Sequence, residues 1–236
     1  MEYTLSLALL DYLPVLFTAV GLINIARMVT HVDSQQGRLA LVGTILTVSG
    51  GFLKATWKLA LAVSNGSTDI AWMDNSLFIL MAPGYTLLTW SVWQTVRAVQ
   101  EKKTFHPWLL PIAIIAVIFT ASIHLFITQP DSPAWKRVLL SLMVLTTVIT
   151  GVFLVVFGFR QKLPVAGWLF VLNLAGVFIL NGLARVGDQT IALQWIEEFV
   201  NTVAWLAFAV AANQVYDHTR RNFGVDPEKM KSVVAA

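Results

Sequence analysis

The sequence is poor in the residues that soluble domains and many enzymes use. Its 236 residues include no cysteine, which excludes disulfides, cysteine-ligated metals and thiol nucleophiles. Charged residues make up only 12% of the chain, about half the fraction of a typical soluble domain. The formal net charge of +3 is small and indicates no nucleic-acid partner. The sequence also has no phosphate-binding glycine loop and no GxSxG nucleophile elbow.

Hydrophobic residues dominate instead, at 57% of the chain, with a mean hydropathy of +0.71. Seven continuous apolar runs approach or exceed the ~20 residues that a helix needs to cross a bilayer. They are Tyr3–Met28, Leu39–Val63, Ile70–Val99, Trp108–Thr128, Val138–Phe159, Val165–Leu183 and Thr190–Tyr216. These runs do not alternate as the strands of a membrane barrel do. We therefore predict an all-α integral membrane protein, with a seven-helix transmembrane domain at residues 1–216 and a cytoplasmic C-terminal tail at residues 217–236.

The distribution of lysine and arginine between the loops predicts the orientation. Basic residues collect on one side of the membrane, whereas Lys136 and Arg137, with Arg185 near the edge, fall on the other. The first group is Arg27, Arg38, Arg97, Lys102, Lys103, Arg160, Lys162, Arg220, Arg221, Lys229 and Lys231. Because cytoplasmic loops carry the excess of positive charge, the N-terminus is expected outside and the C-terminus inside. We expect a multi-pass protein of the plasma (inner) membrane.

Two adjacent carboxylates, Glu197 and Glu198, lie inside the seventh apolar run. A charge at bilayer depth costs roughly 2.5–3.5 kcal/mol on insertion scales, so a lipid-facing pair is disfavoured. The orientation places most other ionisable residues of the spans in the same outer half. We therefore predict one polar cavity there, with Glu198 paired to a cation from span two or six. The predicted ligand-binding residues are Glu198, Glu197, Asn201, Lys54, Asp74, Asn181, Arg185, Trp195, Trp205 and Tyr85.

Spans one to three and five to seven show a faint parallel repeat. The segment Trp72-Met73-Asp74-Asn75 matches Trp195-Ile196-Glu197-Glu198, each early in the third span of its half. Two three-helix units joined by a linking helix make a 3+1+3 plan. With its seven spans and outside N-terminus, the chain resembles the broad group that joins SWEET sugar transporters, PnuC-type vitamin transporters and microbial rhodopsins. The resemblance concerns the architecture of the whole chain and rests on no specific motif.

The chain departs from two of these families at positions that carry chemistry. Retinal proteins have a Schiff-base lysine in the seventh helix, whereas Thr190–Tyr216 contains none. SWEET-type proteins carry a set of helix prolines, and span two has no proline. Only one histidine, His124, lies within a span, so neither a multi-histidine metal site nor a bis-histidine haem site is expected. We predict no cofactor and no metal.

Three functions remain open at this point. The leading hypothesis is a transporter of a polar or zwitterionic solute, because neighbouring carboxylates beside a lysine suit proton-linked transport. The alternatives are a membrane-embedded enzyme acting on a lipid or isoprenoid, and a seven-helix receptor or sensor that signals through a partner protein. The inner half of the bundle has few polar residues, which favours a one-sided pocket and therefore the alternatives. The expected partners are the lipid bilayer and a small-molecule ligand, and homo-oligomerisation is left open.

Overall fold

A computed structural model describes residues 4–184 and 190–223 of the chain. Within these ranges the secondary structure is helical, without strands: α1 (Leu5–Leu10), α2 (Tyr12–Val32), α3 (Ser34–Val63), α4 (Ala71–Val99), α5 (Leu109–Thr128), α6 (Ala134–Arg160), α7 (Pro164–Leu183) and α8 (Ile191–Asn222). Seven segments of this described part are long and apolar enough to cross a membrane, with α1 and α2 together forming the first. The seven predicted helices are confirmed, and their length and composition are those of a multi-pass membrane protein.

The first span is interrupted at Asp11, which separates α1 from α2. Pro14 explains the interruption, because proline has no backbone N–H to donate to the carbonyl of Leu10 four residues earlier. The Thr18 hydroxyl donates to the carbonyl of Pro14 at 2.6 Å, so the start of α2 has an additional side-chain bond. The break places Asp11 at the N-terminal end of α2 and inside the bundle, where the residue is 7% exposed.

Several helices extend beyond the predicted apolar runs. The linker expected between the first two spans shrinks to Asp33, whose carboxylate accepts hydrogen bonds from the backbone N–H groups of Gln35 at 2.8 Å and Gln36 at 3.1 Å. This N-cap starts α3 at Ser34 instead of Leu39. At the other end of the chain, α8 continues to Asn222, past the predicted limit at Tyr216. Several helices therefore extend beyond their apolar segments into polar residues.

Six helices form a closed ring, and α5 lies outside it. Helix α2 packs against α3 and α8, α3 packs against α4, α4 against α6, α6 against α7, and α7 against α8. Helix α5 contacts α6 and, less extensively, α4. Its peripheral position is the one expected of a linking helix between spans one to three and spans five to seven. The internal 3+1+3 repeat itself stays a prediction.

The ring encloses an apolar core away from the Asp11 end. This core contains Leu22, Ile25, Met28 and Val29 of α2, together with Leu88, Val92, Phe157, Phe170, Phe208 and Val215 from the other helices. Two glycines let α3 and α4 cross closely: a Cβ added to Gly43 would lie 2.7 Å from the Gly84 carbonyl oxygen. The dense core fills the interior toward one end of the bundle, and the ion pairs between helices lie toward the other.

Candidate functional site

Two carboxylates share one ammonium group at the Asp11 end of the bundle. The Nζ atom of Lys58 lies 2.7 Å from Oδ2 of Asp11 and 3.2 Å from Oε1 of Glu198. We call these three residues the acidic triad. The α1–α2 break supplies Asp11, the last turns of α3 supply Lys58, and the start of α8 supplies Glu198. With all three groups ionised, the triad carries a net charge of −1, and Lys58 is the cation from span two that the sequence predicts for Glu198.

A second cluster with the opposite charge balance lies one helical turn away along α3. Lys54 forms an ion pair with Asp74 of α4, and Lys136 of α6 lies 3.7 Å from the other oxygen of that carboxylate. We call Lys54, Asp74 and Lys136 the basic triad, because its net charge is +1 when all three groups are ionised. The Lys54 ammonium also lies 3.9 Å from the centre of the Trp57 ring, within the range of a cation–π interaction.

The acidic triad and Lys54 line one cavity of about 290 Å³, which we call the central cavity. From the charged groups, the cavity continues along α2, α3 and α4. Its remaining lining residues are mostly small or apolar: Pro14, Val15, Thr18, Thr47, Val48, Gly51, Ala55, Leu77, Met81, Asn201 and Trp205. The cavity therefore combines both signs of charge near one end with an apolar surface further along.

Two buried oxygen atoms of the central cavity have no hydrogen-bond partner among the described residues. One is Oε2 of Glu198, and the other is the hydroxyl of Thr47. Most buried polar groups in proteins are hydrogen-bonded, either to protein or to water. The Glu198 oxygen lies near the charged groups, and the Thr47 hydroxyl lies further along α3.

The other predicted site residues are distributed around this cavity. Asp74 belongs to the basic triad, and Asn201 and Trp205 line the central cavity itself. Tyr85 and Asn181 line a separate cavity of about 150 Å³ between α4, α6, α7 and α8. Trp205 and Met81 line both cavities, so their side chains separate the two.

Two further predicted residues, Glu197 and Trp195, line neither of these cavities. Glu197 is half-buried on α8 beside Glu198, and its Oε1 atom has no hydrogen-bond partner within the described chain. Trp195 is 41% exposed, which places it on the outer surface of the bundle. Arg185 lies outside the described residues.

The structure adds residues that the predicted site omits, chiefly Asp11 and Lys58. A signal for Asp11 was available in the sequence, because Pro14 follows three residues later and a proline frees the backbone one turn before it. Lys58 is too close to the end of its apolar run for the sequence to distinguish an ion pair from a side chain that extends to the lipid headgroups. Nothing in the sequence marked the small residues Thr47 and Gly51 of α3 as part of a cavity wall.

The described residues contain no group of three histidine, cysteine, aspartate or glutamate side chains that could hold a metal ion. His124 is exposed on α5, and its backbone carbonyl accepts a hydrogen bond from the Thr128 hydroxyl at 2.8 Å. The acidic triad offers two carboxylates, and a lysine ammonium occupies the space between them. Its chemistry is therefore that of ion pairing and proton sharing.

Comparison of the chain with models of protein families, with curated proteins and with solved structures finds no match.

Proposed function

We propose that the protein transports a small zwitterionic solute, which binds in the central cavity. The observation that carries this proposal is the pair of triads with opposite net charge, −1 and +1, which are joined through Lys58 and Lys54, one turn apart on α3. One turn corresponds to about 6 Å along the helix. A solute with an ammonium group and a carboxylate would place the ammonium beside Glu198 and Asp11, and the carboxylate beside Lys54.

The rest of the lining supports a solute with an apolar portion. Trp205, Met81 and Leu77 provide an apolar surface beyond the charged groups, and Asn201 adds an amide on the face of α8. A buried charge is costly unless it is paired, so the mixed triads favour a ligand that brings both charges over one that brings a single charge. The volume of about 290 Å³ is close to the lower limit of known ligand pockets, which fits a small solute.

Proton coupling follows from the same geometry. Two carboxylates around one ammonium leave a surplus negative charge, and either a proton or the ammonium of the solute neutralises it. The solute and the proton would therefore compete for, or sequentially occupy, the same group. This competition is how a charged site could link solute movement to a proton gradient.

A receptor is the second candidate, because the central cavity is blocked toward the other end of the bundle. Trp205 and Met81 close it on one side, and the apolar core that begins at Leu22 fills the interior beyond. A receptor requires only such a one-sided pocket. A transporter requires in addition that these side chains move.

A thermal-shift screen of purified protein with the common amino acids, glycine betaine and choline would test the binding site. We expect at least one zwitterion to raise the melting temperature, whereas choline, which lacks the carboxylate, should not. Glu198→Gln should abolish the shift, and the matched control Glu197→Gln, one residue away and outside the cavity lining, should retain it. A shift that survives Glu198→Gln would contradict the proposed site.

Uptake then separates the two candidate functions. The radiolabelled compound that gives the shift is added to proteoliposomes with an inward proton gradient. Accumulation that requires Glu198 supports the transporter. Binding without accumulation, under conditions where a reconstituted control transporter is active, would contradict transport and favour the receptor.

A further inference from the structure

The largest of the cavities described here lies on the opposite side of α4 from the central cavity. It has a volume of about 420 Å³ and is enclosed by α4, α5 and α6. We call it the lateral cavity. Its lining residues are Trp72, Asn75, Ile79, Phe119, Ser122, Ile123, Phe126, Trp135 and Leu139. None of these nine residues is charged, and none lines the central cavity.

The lateral cavity exists because α5 packs loosely on the ring. Of the twenty residues of α5, all within the described chain, only Pro111 and Ser122 are buried. Ile118 and Phe119 pack against a small core of Ala82, Leu139 and Leu142, and this contact holds the middle of α5 close to its neighbours. Beyond it, toward Phe126, the helix leaves a space that four aromatic rings surround. Phe126 and Trp135 meet edge to face, with ring centres 5.8 Å apart.

Ser122 is the unusual residue of this cavity. Its side chain belongs to a residue that is only 4% exposed, and its hydroxyl has no hydrogen-bond partner among the described residues. Hydroxyls on the neighbouring helices behave differently: those of Thr86 and Thr146 donate to the carbonyl one turn earlier, at 2.8 Å and 2.7 Å. The Oδ1 atom of Asn75, on the α4 wall of the same cavity, is also buried without a partner. The wall of the lateral cavity therefore holds one hydroxyl and one amide oxygen that are buried without a partner among the described residues, within an otherwise apolar lining.

We propose that the lateral cavity binds a neutral amphiphile whose polar group is a hydroxyl and whose remainder is hydrocarbon. One ligand hydroxyl satisfies both protein atoms, because it can donate to Oδ1 of Asn75 and accept from the hydroxyl of Ser122. The hydrocarbon chain would lie against Trp72, Phe126 and Trp135. A phosphate or carboxylate head group is disfavoured, because no lining residue is charged. The nearest cation is Lys136, 5.7 Å from the centre of the Trp135 ring, and it already lies 3.7 Å from the Asp74 carboxylate. A fatty alcohol and an isoprenoid alcohol share this chemistry.

Photolabelling tests the proposal with a hexadecanol that carries a diazirine in its chain, and with the corresponding hydrocarbon that lacks the hydroxyl. The purified full-length protein is irradiated in mild detergent, and labelled residues are mapped by mass spectrometry. We expect saturable labelling by the alcohol at residues of the lateral cavity. The hydrocarbon should need a concentration about fivefold higher or more for the same occupancy, since one net hydrogen bond is worth roughly this factor. Competition with unlabelled hexadecanol or farnesol then distinguishes a straight chain from an isoprenoid chain.

Two single substitutions and one matched control complete the test. Ser122→Ala should weaken labelling by the alcohol about fivefold and leave labelling by the hydrocarbon unchanged. Asn75→Ala, on the opposite wall, should also weaken labelling by the alcohol. The test therefore remains decisive if one of the two variants does not fold. The control is Ser141→Ala on α6, where the hydroxyl is exposed and donates to the Arg137 carbonyl at 2.8 Å. Equal labelling by alcohol and hydrocarbon, or labelling spread over the whole exposed face of α5, would overturn the proposal and identify ordinary contact with surrounding lipid.

Discussion

The ammonium of Lys58 lies 2.7 Å from the carboxylate of Asp11, and this contact joins α3 to the point where the first span is interrupted. The pair is already balanced in charge. Glu198 then approaches the same ammonium at 3.2 Å and adds a second carboxylate. Lys58 is therefore the cation that both carboxylates share. Its replacement should lower the stability of the protein more than replacement of either carboxylate.

Lys58→Met should destabilise the protein by about 3–5 kcal/mol, because it leaves two neighbouring carboxylates without their shared cation. Adding Glu198→Gln to Lys58→Met should recover part of the loss, because only one carboxylate then remains. Asp11→Asn alone should cost less than Lys58→Met, since it leaves a one-to-one pair between Lys58 and Glu198. Thermal unfolding in detergent is measured for the wild type, for these three variants and for Glu198→Gln alone. Strictly additive effects of Lys58→Met and Glu198→Gln would show that the two residues are not coupled.

Gly84→Ala should destabilise the crossing of α3 and α4 by about 1–3 kcal/mol. A Cβ at Gly84 would lie 2.9 Å from the Gly43 carbonyl oxygen and 3.0 Å from the backbone nitrogen of Thr47, so backbone atoms would have to move. Gly182→Ala is the matched control, because a Cβ there meets no atom within 4 Å. Chemical or thermal unfolding of both variants checks the difference. Equal stability of the two variants would contradict the close contact between α3 and α4.

The predicted orientation can be tested directly, because the natural chain has no cysteine. Single cysteines at Ser67 and Ser132 should react with a membrane-impermeant maleimide in intact cells, whereas a cysteine at Ser34 should react only after the cells are opened. Ser67 and Ser132 lie in the loops that follow α3 and α5, and Ser34 begins α3. The reverse pattern would place the N-terminus inside.

Retinal added during expression should give no visible absorption band that hydroxylamine bleaches. The seventh span contains no lysine to form the Schiff base, and the two lysines of α3 that line the central cavity are engaged with Asp74, Asp11 and Glu198. Absorption spectra of the purified protein, with and without retinal, provide the measurement. A bleachable band that Lys54→Met or Lys58→Met removes would contradict this prediction and assign the chromophore to α3.

The sequence predicted the helices better than it predicted which side chains of different helices contact each other. Hydrophobic runs report whether a segment can cross a membrane, and the limits at Val63, Val99, Thr128 and Leu183 agree with the structure. Lys54, Asp74, Asn201 and Glu198 were expected near one another, and the structure brings them to one end of the bundle. The position of each residue within its own span was sufficient for this result, because each lies near the same end of its span.

Contacts and cavities that involve three helices could not be predicted in this way. The choice of Lys58 as the partner of Glu198 depends on Asp11 and on the break that Pro14 produces. The lateral cavity depends on how far α5 stands from α4, a distance that no periodicity encodes. Trp195 was predicted as a ligand-binding residue, and the structure places it on the outer surface of the bundle, because neighbouring residues on a helix point in different directions.

The long separation between Lys58 and Glu198 has a consequence for biosynthesis. The two residues are 140 positions apart in the chain, whereas Asp11 and Lys58 both belong to the first two spans. At translation rates of about 5–20 residues per second, Glu198 is made roughly 7–28 s after Lys58. During this interval, Asp11 can neutralise Lys58 and spare the newly made helices an unpaired charge. The surplus carboxylate arrives only with the last helix, so the Asp11–Lys58 pair stays balanced until the ring closes, and the net charge of −1 appears at that step.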